Sequence, residues 1–238
     1  MNLLIIGYGK MGKSIETIAK ERGHNIAGII DVDNQDLLHE IDPSKVDVAI
    51  EFSQPNAAFE NIRICLQRGI KILSGTTGWL DRKEEVKDVC RNNNGTFFYA
   101  SNYSIGVNLF FKLNAYLANL IKDYPQYEPT MTEIHHTEKK DAPSGTAISL
   151  AEGIISNIPG IKSWDNDNTK NPESVSIKSE RTGAVPGTHI INYVSEVDRI
   201  EIKHEAFSRK GFALGAVLVA DWLKDKEGML DMNDFLEI

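Results

Sequence analysis

The stretch LLIIGYGKMG, residues 3–12, decides how the first part of the chain folds. Residues 3–6 are apolar and favour a buried strand, and the residues after Gly9 place apolar side chains at helical spacing. Glycines at positions Gly7, Gly9 and Gly12 permit a tight turn, let the backbone approach a pyrophosphate and bring the helix against the strand. The stretch therefore predicts a strand, a glycine turn and a helix that bind a dinucleotide. The alternative is a glycine turn without a ligand.

Asp31 is the candidate ribose-binding residue because it follows the next apolar run, residues 26–30, at roughly the distance of about 20 residues expected for that role. A carboxylate accepts hydrogen bonds from both ribose hydroxyls but repels a 2′-phosphate, and Val32 is not the arginine that would accommodate one. The sequence therefore favours NADH over NADPH. Lys10, in the glycine turn, could neutralise the extra phosphate charge, so use of both cofactors stays open. Asp31 could also be a simple turn residue.

The spacing of apolar residues changes character near Ser101. Strand and helix patterns alternate up to that point, which predicts a doubly wound parallel sheet. Beyond it, residues 174–181 alternate as a strand, and residues 188–195 and 199–206 read as a hairpin. We expect an α/β protein with an N-terminal Rossmann-like domain and a second α+β domain built on an open mixed or antiparallel sheet. The expected domains are 1–102 with 209–238 for dinucleotide binding, and 103–208 for substrate binding and oligomerisation.

A second informative stretch is HHTEKKDAPSGTA, residues 135–147, which lies between a predicted strand and a predicted helix. Ser144 is a good N-cap, so the backbone N–H groups of Gly145 and Thr146 would point outward at the positive end of the helix dipole, where a carboxylate or phosphate binds. His135 can donate a proton near neutral pH, and Lys139 supplies a fixed positive charge. Taken singly, each has an ordinary explanation as a strand-end histidine, a solvated lysine or a helix cap.

The order of residues in this second stretch resembles the active-site motif of the dihydrodipicolinate reductase family, which belongs to bacterial lysine and diaminopimelate biosynthesis. The resemblance implies an NAD(P)H-dependent 4-hydroxy-tetrahydrodipicolinate reductase, an oxidoreductase that yields tetrahydrodipicolinate. It implies that His135 is the catalytic proton donor and Lys139 its positively charged catalytic partner. His136, Ser144, Gly145 and Thr146 would then bind the cyclic dicarboxylate substrate.

Three further strand-end loops would complete the cofactor site. Phe52-Ser53 and Gly75-Thr76-Thr77-Gly78 resemble family motifs on the nicotinamide side of the cofactor, and Ala100-Ser101-Asn102 resembles the family's crossover between domains. Ligands of open α/β sheets bind beyond the carboxyl ends of the strands, where these loops are expected. Gly-Thr-Thr-Gly by itself is more often only a turn. The expected cofactor-binding residues are Gly7, Gly9, Lys10, Met11, Gly12, Asp31, Phe52, Ser53, Gly75, Thr76, Thr77, Ala100, Ser101, Asn102, Arg209 and Phe212.

The composition of the 238 residues excludes several classes of partner. A net charge of −8 and a pI near 5.3 argue against binding to nucleic acid or to a membrane surface. Cys65 and Cys90 are expected to be reduced thiols, and no spacing of residues indicates a metal site. No run reaches the ~18 apolar residues of a membrane helix, and the first strand begins too early to leave room for a signal peptide. We therefore expect a cytoplasmic protein.

The second half of the chain carries three further expectations. Ile190, Tyr193 and Ile200 are expected to form an apolar surface on the second sheet that packs against a symmetry mate, and the resemblance likewise implies a homotetramer. The polar residues 164–172 are expected to be a loop. An apolar helix over about 209–224 is expected to be the last helix of the chain.

Two other classes of function stay open at this point. One is a different two-domain nicotinamide oxidoreductase, such as an amino-acid or sugar dehydrogenase, which would share the glycine turn but has no reason to carry residues 135–147. The other is a non-catalytic dinucleotide sensor, in which the loop residues would be idle and the cofactor would bind without turnover.

Overall fold

The computed structural model describes residues 1–166, 171–208 and 210–237. The chain divides into two compact units, Met1–Ile105 with Lys210–Ile238 and Gly106–Arg209. In chain order the strands are β1 (Asn2–Ile6), β2 (Asn25–Ile30), β3 (Val48–Glu51), β4 (Ile72–Ser74), β5 (Thr96–Tyr99), β6 (Glu128–His135), β7 (Ser163–Asn166), β8 (Ser174–Arg181), β9 (Gly187–Val194), β10 (Arg199–Ala206) and β11 (Gly228–Leu230). The α-helices are α1 (Lys10–Glu21), α2 (Leu37–Glu40), α3 (Pro55–Gln67), α4 (Lys83–Asn92), α5 (Ile105–Ile121), α6 (Gly145–Ile155), α7 (Lys210–Leu223) and α8 (Met232–Leu236).

The first unit contains a six-stranded sheet in the order β11-β5-β4-β3-β1-β2, and every neighbouring pair is parallel. Helices cover both faces, which explains why β1 is apolar at successive positions rather than at alternate ones. Leu3 and Ile5 pack in a core with α1 and α7, while Leu4 and Ile6 pack in a second core with α3 and α4. The Rossmann-like architecture expected from residues 3–12 is confirmed.

The register of this sheet brings the ends of five strands to one edge. Ile6 of β1 pairs with Ile30 of β2 and with Glu51 of β3. Glu51 in turn pairs with Ser74 of β4, and Ser74 pairs with Tyr99 of β5. The next residue after each of these positions begins a loop that the sequence analysis assigned to the cofactor. The parallel register alone therefore gathers those loops at the carboxyl edge.

The second unit contains a mixed five-stranded sheet in the order β10-β9-β6-β8-β7. Strands β6, β9 and β10 pair antiparallel, whereas β6, β8 and β7 pair parallel. One face packs on α5 and α6 through a core that includes Met131, Leu150, Ile177, Ile191 and Tyr193. The α+β character and the mixed sheet agree with expectation.

Several expectations for the second half of the chain were wrong. Residues 164–166 belong to strand β7, not to a loop; β7 is a polar edge strand whose burial does not alternate, so the pattern gave no strand signal. Residues 167–170 of the expected loop lie outside the described residues. Helix α7 is not the last helix, because β11 and α8 follow it. Residues 228–230 form strand β11 because they pair with the neighbouring strand β5. Three residues are too few to show the alternation of apolar and polar side chains that predicts a strand.

The expected apolar surface on the second sheet was also wrong. Tyr193 is fully buried in the core beneath the helices, and Ile200 of β10 pairs with Tyr193 and shares its face. Ile190 stands at the opposite parity on β9, so its side chain points to the other face. The three residues therefore cannot form one surface. Among the described residues, no helix is both long enough and apolar enough to span a membrane.

Candidate active site

A cavity of about 170 Å³ opens at the carboxyl edge of the first sheet. Five of the expected cofactor-binding residues line it, namely Gly7, Gly9, Asp31, Phe52 and Ser53. The lining also includes polar residues that the sequence analysis did not single out: Tyr8, Gln35, Gln54 and Asn61. Gln35 and Gln54 lie a few residues beyond strand ends, Asn61 lies within α3, and no motif marked them.

The glycine turn is built as its spacing requires. Gly7 has a φ of +91°, and a methyl group there would overlap the backbone carbonyl of Phe52. A methyl group on Gly12 would overlap the carbonyl oxygen of Gly7, which shows how closely α1 approaches the turn. Gly9, in contrast, faces open space. Gly9 is the N-cap of α1, and among the described residues no side chain caps this helix, so its first N–H groups are available to an anion.

Glu51 is a buried carboxylate that organises two of the cofactor loops, and the sequence analysis missed it. Its side chain is 0% exposed and accepts hydrogen bonds from the backbone N–H and hydroxyl of Ser53, at 2.9 and 2.5 Å. The hydroxyls of Ser74 and Thr76 donate to the same carboxylate at 2.5 and 2.9 Å. A carboxylate at the last position of a strand that precedes a polar loop was the available signal.

Asp31 occupies the position expected of a ribose-binding residue and also begins a turn. Its side chain is exposed at the cavity. Its backbone N–H donates to Asn34 Oδ1 at 2.6 Å at the start of the short 3-10 turn Val32–Asn34. Asp31 thus begins the turn and also places its carboxylate at the cavity, so the two interpretations are compatible.

The remaining expected cofactor residues do not line this cavity. Gly75 packs against the Phe52 ring, and Trp79 Nε1 anchors the following loop by donating to the Thr76 carbonyl at 2.7 Å. Asn102 Oδ1 accepts from the backbone N–H of Ser104 at 2.9 Å. The full set outside the cavity lining is Lys10, Met11, Gly12, Gly75, Thr76, Thr77, Ala100, Ser101, Asn102 and Phe212. Arg209 lies outside the described residues.

In the second unit, the register of three strands assembles a polar cluster at the end of β6. Glu133 and His135 are two residues apart on β6 and therefore share the face that packs toward the helices. Glu133 pairs with His189 of β9, and His135 pairs with Arg181 of β8. All four side chains are buried or half-buried. Glu133, Arg181 and His189 were missed, although each stood at a position of a predicted strand whose alternation placed it on one face.

Glu133 is the centre of this cluster. Its Oε2 lies 2.7 Å from His135 Nδ1, and its Oε1 accepts from Arg181 Nη2 at 2.8 Å and from the backbone N–H of Ser144 at 3.2 Å. Burial by itself would raise the pKa of Glu133, but hydrogen bonds from His135, Arg181, Ser144 and Ser179 outweigh it and hold the pKa well below its usual range. Glu133 is therefore ionised at neutral pH.

Ser144 connects this cluster to the start of α6. Its hydroxyl accepts from the backbone N–H of Ala147 at 3.2 Å, which makes it the N-cap that the sequence predicted. The same hydroxyl lies 3.3 Å from His189 Nε2. Gly145 is exposed and Thr146 is half-buried in the first turn. The positive end of α6 thus lies beside the His135 cluster.

Lys139 and His136 lie in the loop between β6 and α6. Lys139 Nζ contacts both carboxylate oxygens of Asp141, at 2.7 and 2.8 Å, and its side chain is 21% exposed. His136 lines a surface groove together with Glu138, Gly183 and Pro186. An incoming carboxylate would have to compete with Asp141 for the lysine.

Glu133, His135 and His189 each offer one ligand atom within 4.8 Å of the other two, a spacing at which such groups can bind a metal ion. Arg181 already neutralises Glu133, and its positive charge opposes a cation at this position.

Two family models match most of the chain. Residues 1–103 match the model of the dihydrodipicolinate reductase N-terminus, and residues 106–236 match that of the dihydrodipicolinate reductase C-terminus. The chain is 46% identical over 236 residues to the 4-hydroxy-tetrahydrodipicolinate reductase of Christiangramia forsetii, covering 99% of this chain and 98% of the relative. It is 32% identical to that of Oleidesulfovibrio alaskensis, over 99% of both chains.

Among solved structures, the dipicolinate-bound dihydrodipicolinate reductase from Paenisporosarcina sp. TG-14 has the same fold, with a TM-score of 0.77, 20% identity and 99% coverage of both chains. The two family models together span nearly the whole chain, and the two curated relatives are matched along their full length. The chain belongs to the dihydrodipicolinate reductase family.

Proposed function

We propose that this chain is a 4-hydroxy-tetrahydrodipicolinate reductase that uses NAD(P)H and yields tetrahydrodipicolinate for the synthesis of diaminopimelate and lysine. The observation that carries the proposal is the connected cluster at the end of β6. There, a histidine with a carboxylate partner lies beside the capped start of a helix, and a lysine follows in the same loop. The 46% identity to a reductase of this name along the whole chain supports the same reaction.

The substrate is a cyclic imine with two carboxylates, and the second unit offers complementary groups. The N–H groups at the start of α6 and the hydroxyl of Thr146 would hold one carboxylate, in the manner of anions at helix N-termini. Lys139 and His136 would meet the second carboxylate or the ring nitrogen. This arrangement also stabilises negative charge that develops beside the ring.

Loss of water from the 4-hydroxy compound gives a conjugated cyclic imine, and the reduction adds one hydride and one proton to that imine. A reduced nicotinamide held by the glycine turn and Asp31 of the first unit would supply the hydride to the ring carbon conjugated with the imine. His135 then protonates the resulting enamine, so that two electrons and two hydrogens are gained in total. Lys139 orients the substrate and offsets its charge during this step.

The first unit fits a dinucleotide because Gly9 faces open space at an uncapped helix start and Asp31 is exposed at the same cavity. The free N–H groups of α1 suit the pyrophosphate, and Asp31 suits the ribose hydroxyls. We propose that NADH is the better cofactor, since Asp31 would repel a 2′-phosphate and Val32 offers no positive charge. Lys10 is the residue that would oppose this preference.

We also propose that the protein acts in the cytoplasm as a homotetramer. Helices α5 and α6 pack on one face of the second sheet, and a second copy on the other face would cover Ile190 and the strand residues around it. Light scattering at micromolar concentration tests this assembly, and a monomeric mass would contradict it.

The reaction is tested by coupling the purified protein to dihydrodipicolinate synthase and following the absorbance of NADH and of NADPH. Oxidation of cofactor that requires the synthase product supports the proposal. A different nicotinamide oxidoreductase would not respond to that product but would turn over an amino acid or a sugar. A dinucleotide sensor would bind the cofactor, measured by fluorescence titration, without any turnover.

A further inference from the structure

We propose that Glu133 is a positioning residue for the reaction, which holds the His135 ring with Nδ1 against its carboxylate and leaves Nε2 as the nitrogen that donates the proton. The inference rests on the proposed function, because it assigns Glu133 a role through the proton donor named there.

Strand β6 places Glu133 and His135 side by side. Glu133 and His135 share one face of the strand, and the 2.7 Å between Oε2 and Nδ1 is within the range of a charge-assisted contact. The two atoms are buried and linked by their short distance, although the contact lacks the near-linear geometry of an ideal hydrogen bond.

The Glu133 side chain cannot turn away from the His135 ring. Its side chain is 0% exposed, and its other oxygen is held by the guanidinium of Arg181 and by the backbone N–H of Ser144. A fixed, ionised acceptor beside Nδ1 requires that nitrogen to carry a proton, and this sets which nitrogen of the ring faces the reaction.

Gly187 lies beside Nε2 of the His135 ring. A Cβ atom on Gly187 would lie 3.1 Å from His135 Nε2, closer than most side chains tolerate. Glycine at this position keeps a side chain out of contact with Nε2. The two nitrogens of the ring thus have separate tasks, one toward Glu133 and one toward the reaction.

The Glu133→Gln variant tests the proposal because its amide has only one favourable orientation. Arg181 and Ser144 both donate to the Oε1 position, so the glutamine oxygen must stay there and its NH₂ group must face Nδ1. The ring then has to accept a hydrogen bond at Nδ1. This disfavours the ring protonated on both nitrogens, which is the form that donates from Nε2 while Nδ1 keeps its proton. We expect kcat to fall roughly 10²- to 10⁴-fold, in the manner of other histidines deprived of their carboxylate partner.

The KM for substrate should change little in this variant, because the glutamine oxygen still accepts from Ser144 and the start of α6 is preserved. Glu128→Gln is the matched control: it removes a carboxylate from the same strand at an exposed position and should keep the wild-type kcat. A Glu133→Gln enzyme with wild-type kcat overturns the proposal.

Two measurements separate positioning from a structural role. In a double-mutant cycle, Glu133→Gln should lower kcat no further once His135→Gln is present; an undiminished effect in that background contradicts action through His135. The ¹⁵N chemical shifts of the His135 ring, assigned by their loss in His135→Gln, should show a protonated Nδ1 in the wild type. A neutral ring protonated only at Nε2 also overturns the proposal.

The ¹⁵N measurement needs no turnover, so it separates the two proposals. A wild-type protein that is inactive in the coupled assay but protonated at Nδ1 would contradict the proposed function and keep the Glu133 contact. An active protein with the opposite tautomer would do the reverse.

Discussion

His189 lies directly opposite Glu133 across the antiparallel strands β6 and β9, and it remains uncharged there. Burial lowers the pKa of His189 to about 4, and electrostatic interactions with His135, His204 and Lys139 contribute in the same direction. The negative charge of Glu133 raises the pKa of His189, but this effect is smaller than that of burial. A neutral imidazole is thus part of the folded state at pH 7.

Because His189 is neutral in the folded state, we expect the protein to lose stability in mild acid. The unfolded chain binds a proton at His189 below its usual pKa of about 6.5, whereas the folded protein binds it only near pH 4. The free energy of unfolding should therefore fall as pH drops from about 6.5 to about 4, by on the order of 3 kcal/mol from this residue. Urea titrations at half-unit pH steps measure the slope.

The His189→Asn variant should flatten that slope, since it has no group to protonate. His204, whose pKa is also lowered by burial, adds to the slope with the same sign, so some pH dependence should remain. An unchanged slope in His189→Asn would mean that the histidine is already charged in the folded protein.

His135→Gln tests the proton donor. We expect this variant to fold and to bind cofactor normally while kcat falls by roughly 10² to 10⁴, the usual contribution of a positioned general acid. Steady-state kinetics with the coupled substrate and a cofactor titration provide the two readouts. Unchanged turnover would remove His135 from the mechanism.

Asp31→Ala tests the cofactor preference. In the wild type, NADH should give the higher kcat/KM, and the variant should narrow the gap because it loses the ribose contact and the repulsion of the 2′-phosphate together. Kinetics with both cofactors measure the ratio. A wild type that prefers NADPH at least tenfold would mean that Lys10 or another group outweighs Asp31.

Lys139→Ala tests the binding of the dicarboxylate. Pyridine-2,6-dicarboxylate is planar and carries both carboxylates, so it should compete with substrate, and its inhibition constant should rise in the variant. Lys140→Ala is the matched control, because it removes an exposed lysine one residue away. Equal inhibition of Lys139→Ala and wild type would show that the lysine stays with Asp141 and does not contact the ligand.

Two glycine substitutions should separate folding from cofactor binding. Gly12→Ala places a methyl group against the Gly7 carbonyl and should lower the free energy of unfolding by about 1–3 kcal/mol. Gly9→Ala meets no protein atom, so it should keep stability but weaken cofactor binding where the pyrophosphate approaches. Denaturant titrations and cofactor titrations compare them. Normal cofactor affinity in Gly9→Ala would place the dinucleotide elsewhere.

The sequence by itself determined the parallel unit and the identity of the reactive loop. The run at residues 3–6 and the glycines that follow it are local signals, because a strand buried on both faces needs continuous apolar residues and a tight turn needs glycine. Ser144 as a helix cap is local in the same way, since a cap depends on the three residues that follow it. Such features can be predicted without knowing what packs against them.

Only the tertiary structure decided which side chains surround those signals. Glu51 meets Ser74, and Glu133 meets His189 and Arg181, through strand register, which joins residues tens of positions apart in the chain. Strand β11 exists because β5 offers an edge to pair with, and Tyr193 is buried because of the face its strand turns to the helices. Register and packing depend on the whole sheet, and no short window of sequence contains them.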